Sequence, residues 1–160
     1  QSSSAASDVY KRQGQQIMAT KFNRILVGVD DSADALLAFD YAIHQAKQDG
    51  AELVIISILE NDEMNVYQAL SKDYIHGERQ ELEQHILKYQ KQAQAAGVTK
   101  VHAMIAEGEP GETIVKEVIP HVQPDLLIIG SLAKKGIAKH FGSQAAYMAK
   151  YAPISVLVIR

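Results

Sequence analysis

The sequence contains no cysteine, which excludes disulfide scaffolds, thiolate-bound zinc and thiol chemistry, and is compatible with a reducing compartment. No uninterrupted apolar stretch reaches the roughly 18 residues that a membrane-spanning helix requires. Nor is positive charge in excess. Sixteen lysines and arginines stand against 19 aspartates and glutamates, for a formal net charge of −3. That balance excludes a general nucleic-acid-binding surface, so neither nucleic acid nor a membrane is an expected partner. Several catalytic signatures are missing too. The six histidines show no two-ligand spacing such as HExxH, and there is no GxSxG elbow or Walker A loop. Glu81 and Glu83 lie two apart on a helix and face different directions, which is no acid/base pair. What remains is a chain of 160 residues and 17.6 kDa, 47% hydrophobic and 22% charged. That is the composition and size of one globular domain.

The amino-terminal segment stands apart from it. Gln1 to Gln16 carries almost no apolar residues and no period, so it cannot bury enough surface to offset its ordering entropy. It also lacks the apolar core of a secretory signal. Residues 1–20 are expected to form a disordered leader or cloning scar, with Met18 as the natural start and residues 21–160 as the domain.

From there strands and helices alternate. Arg24–Val29 is a short apolar run ending in Asp30, Asp31 and Ser32, as a buried parallel strand reads. Ser32 is a good N-cap, Leu36, Phe39, Ile43 and Ala46 recur at helical spacing, and Gly50 closes that helix. Leu53–Leu59 is the second strand. A helix follows, clearest over Glu78–Ala96, with Leu82, Ile86, Tyr89 and Ala93 on one face. Val98–Ala106 is a more polar strand suited to an edge. Gly108 and Pro110 open a short helix, Leu126–Ile129 and Ile154–Ile159 are the last strands, and Ser143–Tyr151 is the helix between them. Five strands alternating with four helices imply an α/β fold with an open, doubly wound parallel sheet. Ligands of such sheets sit beyond the carboxyl ends of the strands, where Asp30-Asp31-Ser32 and the segment from Gly130 should meet.

The chemistry-bearing residues lie in those two segments. Three carboxylates, Asp30, Asp31 and Asp34, surround the first turn, where they disfavour a phosphate. Capping is the plain reading of Asp31 and Asp34. Asp30, at the strand's carboxyl end, should point into the crevice and accept hydrogen bonds from an amine or a ribose hydroxyl. The second segment runs from Gly130-Ser131 to Gly142-Ser143 and carries Lys134, Lys135 and Lys139. Glycine lets backbone amides approach an anion, and a helix N-terminus adds partial positive charge. The plainer reading is a surface loop with Ser143 as an N-cap and solvated lysines.

In this order, ILVGVDDS, ELVIISILE, Gly108-x-Pro110 and IIGS…GSQAAYMAKYAPISVLVIR resemble the universal stress protein family over Lys21–Arg160. The resemblance implies an adenine nucleotide alpha hydrolase-like sheet of order 3-2-1-4-5. It also implies a cytoplasmic stress-response role and a homodimer paired through the last strand. In the nucleotide-binding branch the pattern is Gly-x2-Gly-x9-Gly-Ser/Thr. Gly130, Gly142 and Ser143 match it. Ala133 replaces the middle glycine, and only eight residues separate it from Gly142. Alanine at positive φ would cost about 1 kcal/mol, so Gly136 is the alternative flexible position. Carried over by position, Asp30 matches the nucleoside contact and Ile58 the residue against adenine. Gly28 and Ile129 match the cleft lining, and Gly130, Gly142, Ser143 and Gln144 the phosphate contacts. Packing in the core accounts equally for Ile58 and Ile129.

The expected ligand is therefore ATP or another adenine nucleotide, with or without Mg²⁺, bound by a stress sensor or regulator rather than a turnover enzyme. No general base is supplied by the loop, so rapid hydrolysis is not expected, while slow hydrolysis stays open. Two alternatives remain: a dimeric stress protein that binds no nucleotide and acts through protein partners, and a receiver-like phosphoacceptor. The latter is disfavoured because strand four ends in Gly130-Ser131 and its only aspartate, Asp125, opens the strand. Ile154, Val156 and Val158 alternate with Ser155, Leu157 and Ile159 in an apolar edge strand that invites pairing with a second copy.

Overall fold

A computed structural model describes residues 21–60, 72–131 and 142–160. The expected leader, residues 1–20, lies outside the described residues. So do Ala133, Gly136, Lys134, Lys135, Lys139 and His140. Among the described residues the elements are β1 (Arg24–Gly28), α1 (Ala33–Asp49), β2 (Glu52–Leu59), α2 (Lys72–Ala95), β3 (Val101–Glu107), α3 (110–122), β4 (Leu126–Gly130), α4 (Ser143–Tyr151) and β5 (Ser155–Ile159). All strand pairs are parallel, in the order β3-β2-β1-β4-β5, as the resemblance implies.

The strands alternate their side chains between two apolar layers. Ile25, Val27, Leu53, Ile55, Leu126 and Ile128 face α1 and α2, where they meet Ala38, Phe39, Ala42, Ile86, Tyr89 and Ala93. Leu26, Val54, Ile56, Leu127 and Ile129 face α3 and α4, where they meet Ile114, Val118, Ile119, Ala145 and Met148. Burial on both faces is why the central strands read as continuous apolar runs rather than as alternating ones.

Several expected boundaries and faces shift. The third strand begins at Val101 rather than Val98, because Gly97 (φ +107°) turns the chain and the Val98 N–H closes the end of α2 on the Ala93 carbonyl. Leu36 does not face the core and is 45% exposed. The buried face of α1 is built instead from Ala35, Ala38, Phe39, Ala42 and Ala46, whose small side chains let the helix lie close to the sheet. Gly50 ends α1 in the left-handed conformation (φ +66°), as expected.

Helix α3 widens over Ile114–Val118, where the Ile119 N–H reaches back five residues to the Ile114 carbonyl. The widening comes just before Pro120, which has no N–H to continue the regular ladder.

The amino end of the sheet is pinned by Asp125. Its carboxylate accepts the Asn23 and Arg24 N–H groups at 2.8 and 3.0 Å. Arg24 in turn reaches Glu52 at 3.0 Å and the Val122 carbonyl at 2.8 Å. Asp125 is thus committed at the end of the sheet opposite the crevice, so it cannot serve as a receiver's phosphoacceptor. Among the described residues no helix is long and apolar enough to cross a membrane.

Candidate functional site

The carboxyl ends of β1 and β4 do meet, and the turn after β1 organises one side. Asp30 is exposed, and its Oδ1 accepts the Ser32 N–H at 3.0 Å. One carboxylate oxygen thus holds the turn, and Oδ2 is not part of that bond. Asp31 has a left-handed backbone (φ +64°), unusual for a residue with a side chain. Ser32 caps α1 as expected, its hydroxyl accepting the Ala35 N–H at 3.2 Å.

Asp31 and Asp34 do not cap α1, contrary to expectation, because both carboxylates are taken by distant partners. Asp31 Oδ1 accepts the Tyr89 hydroxyl at 2.6 Å, and Oδ2 lies 2.8 Å from His85 Nδ1. Two residues one turn apart on α2 therefore hold the strained residue of the β1–α1 turn. Asp34 Oδ2 accepts the Ser131 hydroxyl at 2.6 Å.

The end of β4 forms the other side. A side chain at Gly130 would come within 2.8 Å of the backbone of Asp34 and Ala35. Glycine there lets the first turn of α1 lie against β4, a need that exists whether or not an anion binds. Ser131 is buried, its N–H donates to the Ile159 carbonyl at 2.9 Å, and its own carbonyl accepts the Gly142 N–H at 2.9 Å. The two ends of segment 132–141 are therefore joined at Ser131.

Gly142, not Ser143, is the N-cap of α4, and no side chain caps that helix. Ser143 is its exposed first residue. Gln144 is committed to α3: its Oε1 accepts the Gly111 N–H at 2.7 Å and its Nε2 donates to Glu109 at 3.2 Å. A cavity of about 190 Å³ opens here, lined by Glu109, Glu112, Ser143, Gln144 and Tyr147. A wider, open hollow on α1, lined by Asp40, Ile43, His44, Lys47 and Gln48, lies in that helix's carboxyl-terminal half, away from these residues.

The apolar residues fall in one layer. A Cβ built on Gly28 would lie 3.7 Å from Ile129 Cγ2 and 3.9 Å from Ile114 Cδ1, ordinary van der Waals contact. Ile58, half-buried, belongs to the same apolar layer as Ile129. Gly28, Ile129, Gly130 and the Gly142–Ser143 step are thus gathered at one end of the sheet. Ala133 lies outside the described residues. No group of three or more histidines, aspartates or glutamates among the described residues is arranged to hold a metal ion.

A sequence profile of the universal stress protein family matches residues 21–160. The chain belongs to that family. Its relatives include a Staphylococcus haemolyticus protein named for the universal stress proteins, 29% identical over 140 residues, covering 87% of this chain and 85% of its own. Among solved structures, universal stress protein UspA from Lactobacillus plantarum matches with a TM-score of 0.78 at 23% identity, over 88% of this chain and 99% of its own. A universal stress protein solved in complex with cAMP matches with a TM-score of 0.64 at 25% identity, over 88% of this chain and 98% of its own.

The Asp31–Tyr89–His85 cluster, the Asp34–Ser131 bond and the bridging role of Gln144 were not legible as pairs in this universal stress protein. Each joins residues 33 or more apart in sequence. Tyr89 looked like core on helical spacing, and it is core as well, packed edge-on against Phe39 with centroids 4.9 Å apart.

Burial, the hydrogen bond to Asp31, and the charges of Asp31 and Asp30 together push the Tyr89 hydroxyl well above the ordinary tyrosine range. A pKa raised by folding contributes stability that is full below the unfolded value, about pH 10, and is lost as pH rises through the folded value. Urea midpoints measured across alkaline pH should fall steeply above about pH 10 in the wild type, and less steeply in Tyr89→Phe. Equal slopes in the two proteins would remove this role for Tyr89.

Proposed function

We propose that this universal stress protein binds an adenine nucleotide in the crevice at the carboxyl ends of β1 and β4. In this reading it acts as a cytoplasmic stress-response sensor or regulator rather than a turnover enzyme. The observation that carries the reading is the amino end of α4. It has no side-chain cap, opens on Gly142-Ser143, and is tied by Ser131 to the end of β4. Free N–H groups and the helix dipole at such an end suit a phosphate. The base would lie over Gly28 against Ile58 and Ile129, with Asp30 Oδ2 toward a ribose hydroxyl or an amine. The phosphate would sit on the N–H groups of Ser143 and Gln144 with the Ser143 hydroxyl, near Gly130, and Ala133 would lie in the adjoining loop. Because the Gln144 side chain is engaged with α3, only its backbone is assigned to the ligand. The complex of a related universal stress protein with cAMP supports an adenine nucleotide as the ligand class. ATP, with or without Mg²⁺, belongs to that class.

Self-association through β5 is part of the proposal. Among the described residues β5 has a strand neighbour on one side only, and Val156, Leu157, Val158 and Ile159 are half-buried. The opposite edge, β3, is guarded: Gln90 Nε2 donates to the Val101 carbonyl at 3.1 Å and Arg79 pairs with Glu107 at 2.6 Å. The open apolar edge, carrying Ile154, Val156 and Val158, is the one fitted to a second copy.

Two measurements test these readings. Calorimetric titration of nucleotide-stripped protein with AMP and ATP should show saturable binding that weakens about tenfold or more in both Gly28→Ala and Ser143→Ala. The Gly28→Ala methyl fits the fold without displacing an atom, so its urea midpoint should be unchanged. Absence of heat up to millimolar nucleotide would overturn the binding reading in favour of a protein that acts through partners alone. Sedimentation should give a dimer for the wild type and monomers or aggregates for Val156→Glu, and an unchanged dimer mass in the variant would argue against pairing through β5.

A further inference from the structure

We propose that His85 and Tyr89 of α2 are positioning residues for the nucleoside: by holding Asp31 in its left-handed conformation, they keep Asp30 set to receive the ligand. The inference rests on the adenine-nucleotide reading above and deepens it. Asp30 and Asp31 are the two residues between fixed neighbours. On one side Val29 is bound to β2 through both backbone groups. Its N–H donates to the Ile56 carbonyl at 3.0 Å, and its carbonyl accepts the hydroxyl of the buried Ser57 at 3.1 Å. On the other side Ser32 is fixed as the N-cap of α1. The orientation of Asp30 therefore depends on the backbone of these two residues. Asp31 is the middle residue of the turn that Asp30 Oδ1 closes on the Ser32 N–H at 3.0 Å. If its φ of +64° relaxed to the negative values that side chains prefer, the Ser32 N–H would swing off Oδ1 and the turn would open.

What opposes that relaxation comes from α2. The Tyr89 hydroxyl donates to Asp31 Oδ1 at 2.6 Å and His85 Nδ1 lies 2.8 Å from Oδ2, so both carboxylate oxygens are held. The clasp is anchored in the core. Tyr89 packs edge-on against Phe39 of α1 with centroids 4.9 Å apart, and the His85 ring lies edge to face with Tyr89 at 6.4 Å. The charges of Asp31 and Asp30 both act on the Tyr89 hydroxyl, so Asp30 stands beside the clasp. A site whose competent geometry is populated only part of the time binds more weakly by that fraction. Removing the clasp therefore costs affinity through Asp30, although neither α2 side chain is assigned to the ligand.

The test is calorimetric titration of adenosine and AMP into wild type, Tyr89→Phe, His85→Ala and the double variant, each with and without Asp30→Ala, with urea midpoints alongside. Phenylalanine keeps the packing against Phe39, and His85 is exposed, so both single variants should fold. In the double variant the affinities for adenosine and AMP should fall by the same factor, about tenfold. In the Asp30→Ala background the same substitutions should change neither affinity. Asp31→Gly reaches positive φ without a clasp, so it should bind within about threefold of wild type and make His85→Ala and Tyr89→Phe silent. Losses that persist undiminished in Asp30→Ala would overturn the inference, as would wild-type affinity in Asp30→Ala or in the double variant. Each of these results leaves adenine-nucleotide binding standing, whereas failure of the wild type to bind either compound would overturn both readings. If Asp30→Ala binds too weakly to measure or the double variant fails to fold, the Asp31→Gly background decides: a further loss there from either single α2 substitution overturns the inference.

Discussion

The structure turns on Gly130 and Ser131. In two residues the chain leaves β4, allows the first turn of α1 to lie against the strand, hydrogen-bonds to the end of β5 and receives the start of α4. Two of these contacts depend on the residue type found there: a side chain at Gly130 would strike the α1 backbone, and the Ser131 hydroxyl reaches Asp34. The crevice and the position of the α4 amino end beside it both follow from this one junction.

A second constraint comes from the β1–α1 turn. Asp31 occupies a left-handed conformation that costs on the order of 1 kcal/mol for a residue with a side chain. The Tyr89 and His85 contacts offset that cost and tie α2 to the rim of the crevice. Strain held by partners from another element is commonly found where a chain must present groups in a defined geometry. Here it holds Asp30 at the carboxyl end of β1.

The fold was legible in the sequence because its signals are local. Continuous apolar runs marked the buried strands, Ser32 and Gly50 marked the ends of α1, and the polarity of residues 98–106 marked an edge. What stayed hidden depends on distance. Asp34 and Ser131 are 97 residues apart, so a first-turn aspartate read as a cap and a serine after a strand read as part of a loop. Gln144 matched a phosphate-contact position, but Gly111 and Glu109, which claim its side chain, approach only once α3 and α4 pack together. Gly130 matched a phosphate-contact position, yet the close approach of α1 requires a glycine there independently of any ligand. Leu36 misled because alanines, weak as hydrophobic signals, form the real buried face of α1.

The central claim is that the crevice between β1 and β4, closed through Ser131, is where an adenine nucleotide binds. Amide hydrogen exchange measured along the chain with and without saturating AMP tests it most directly. The account predicts slowed exchange at Ser143, Gln144 and Ala145 and along Gly28–Asp30, with β3 unchanged. Unaltered exchange at the start of α4, or protection confined to another surface, would contradict it.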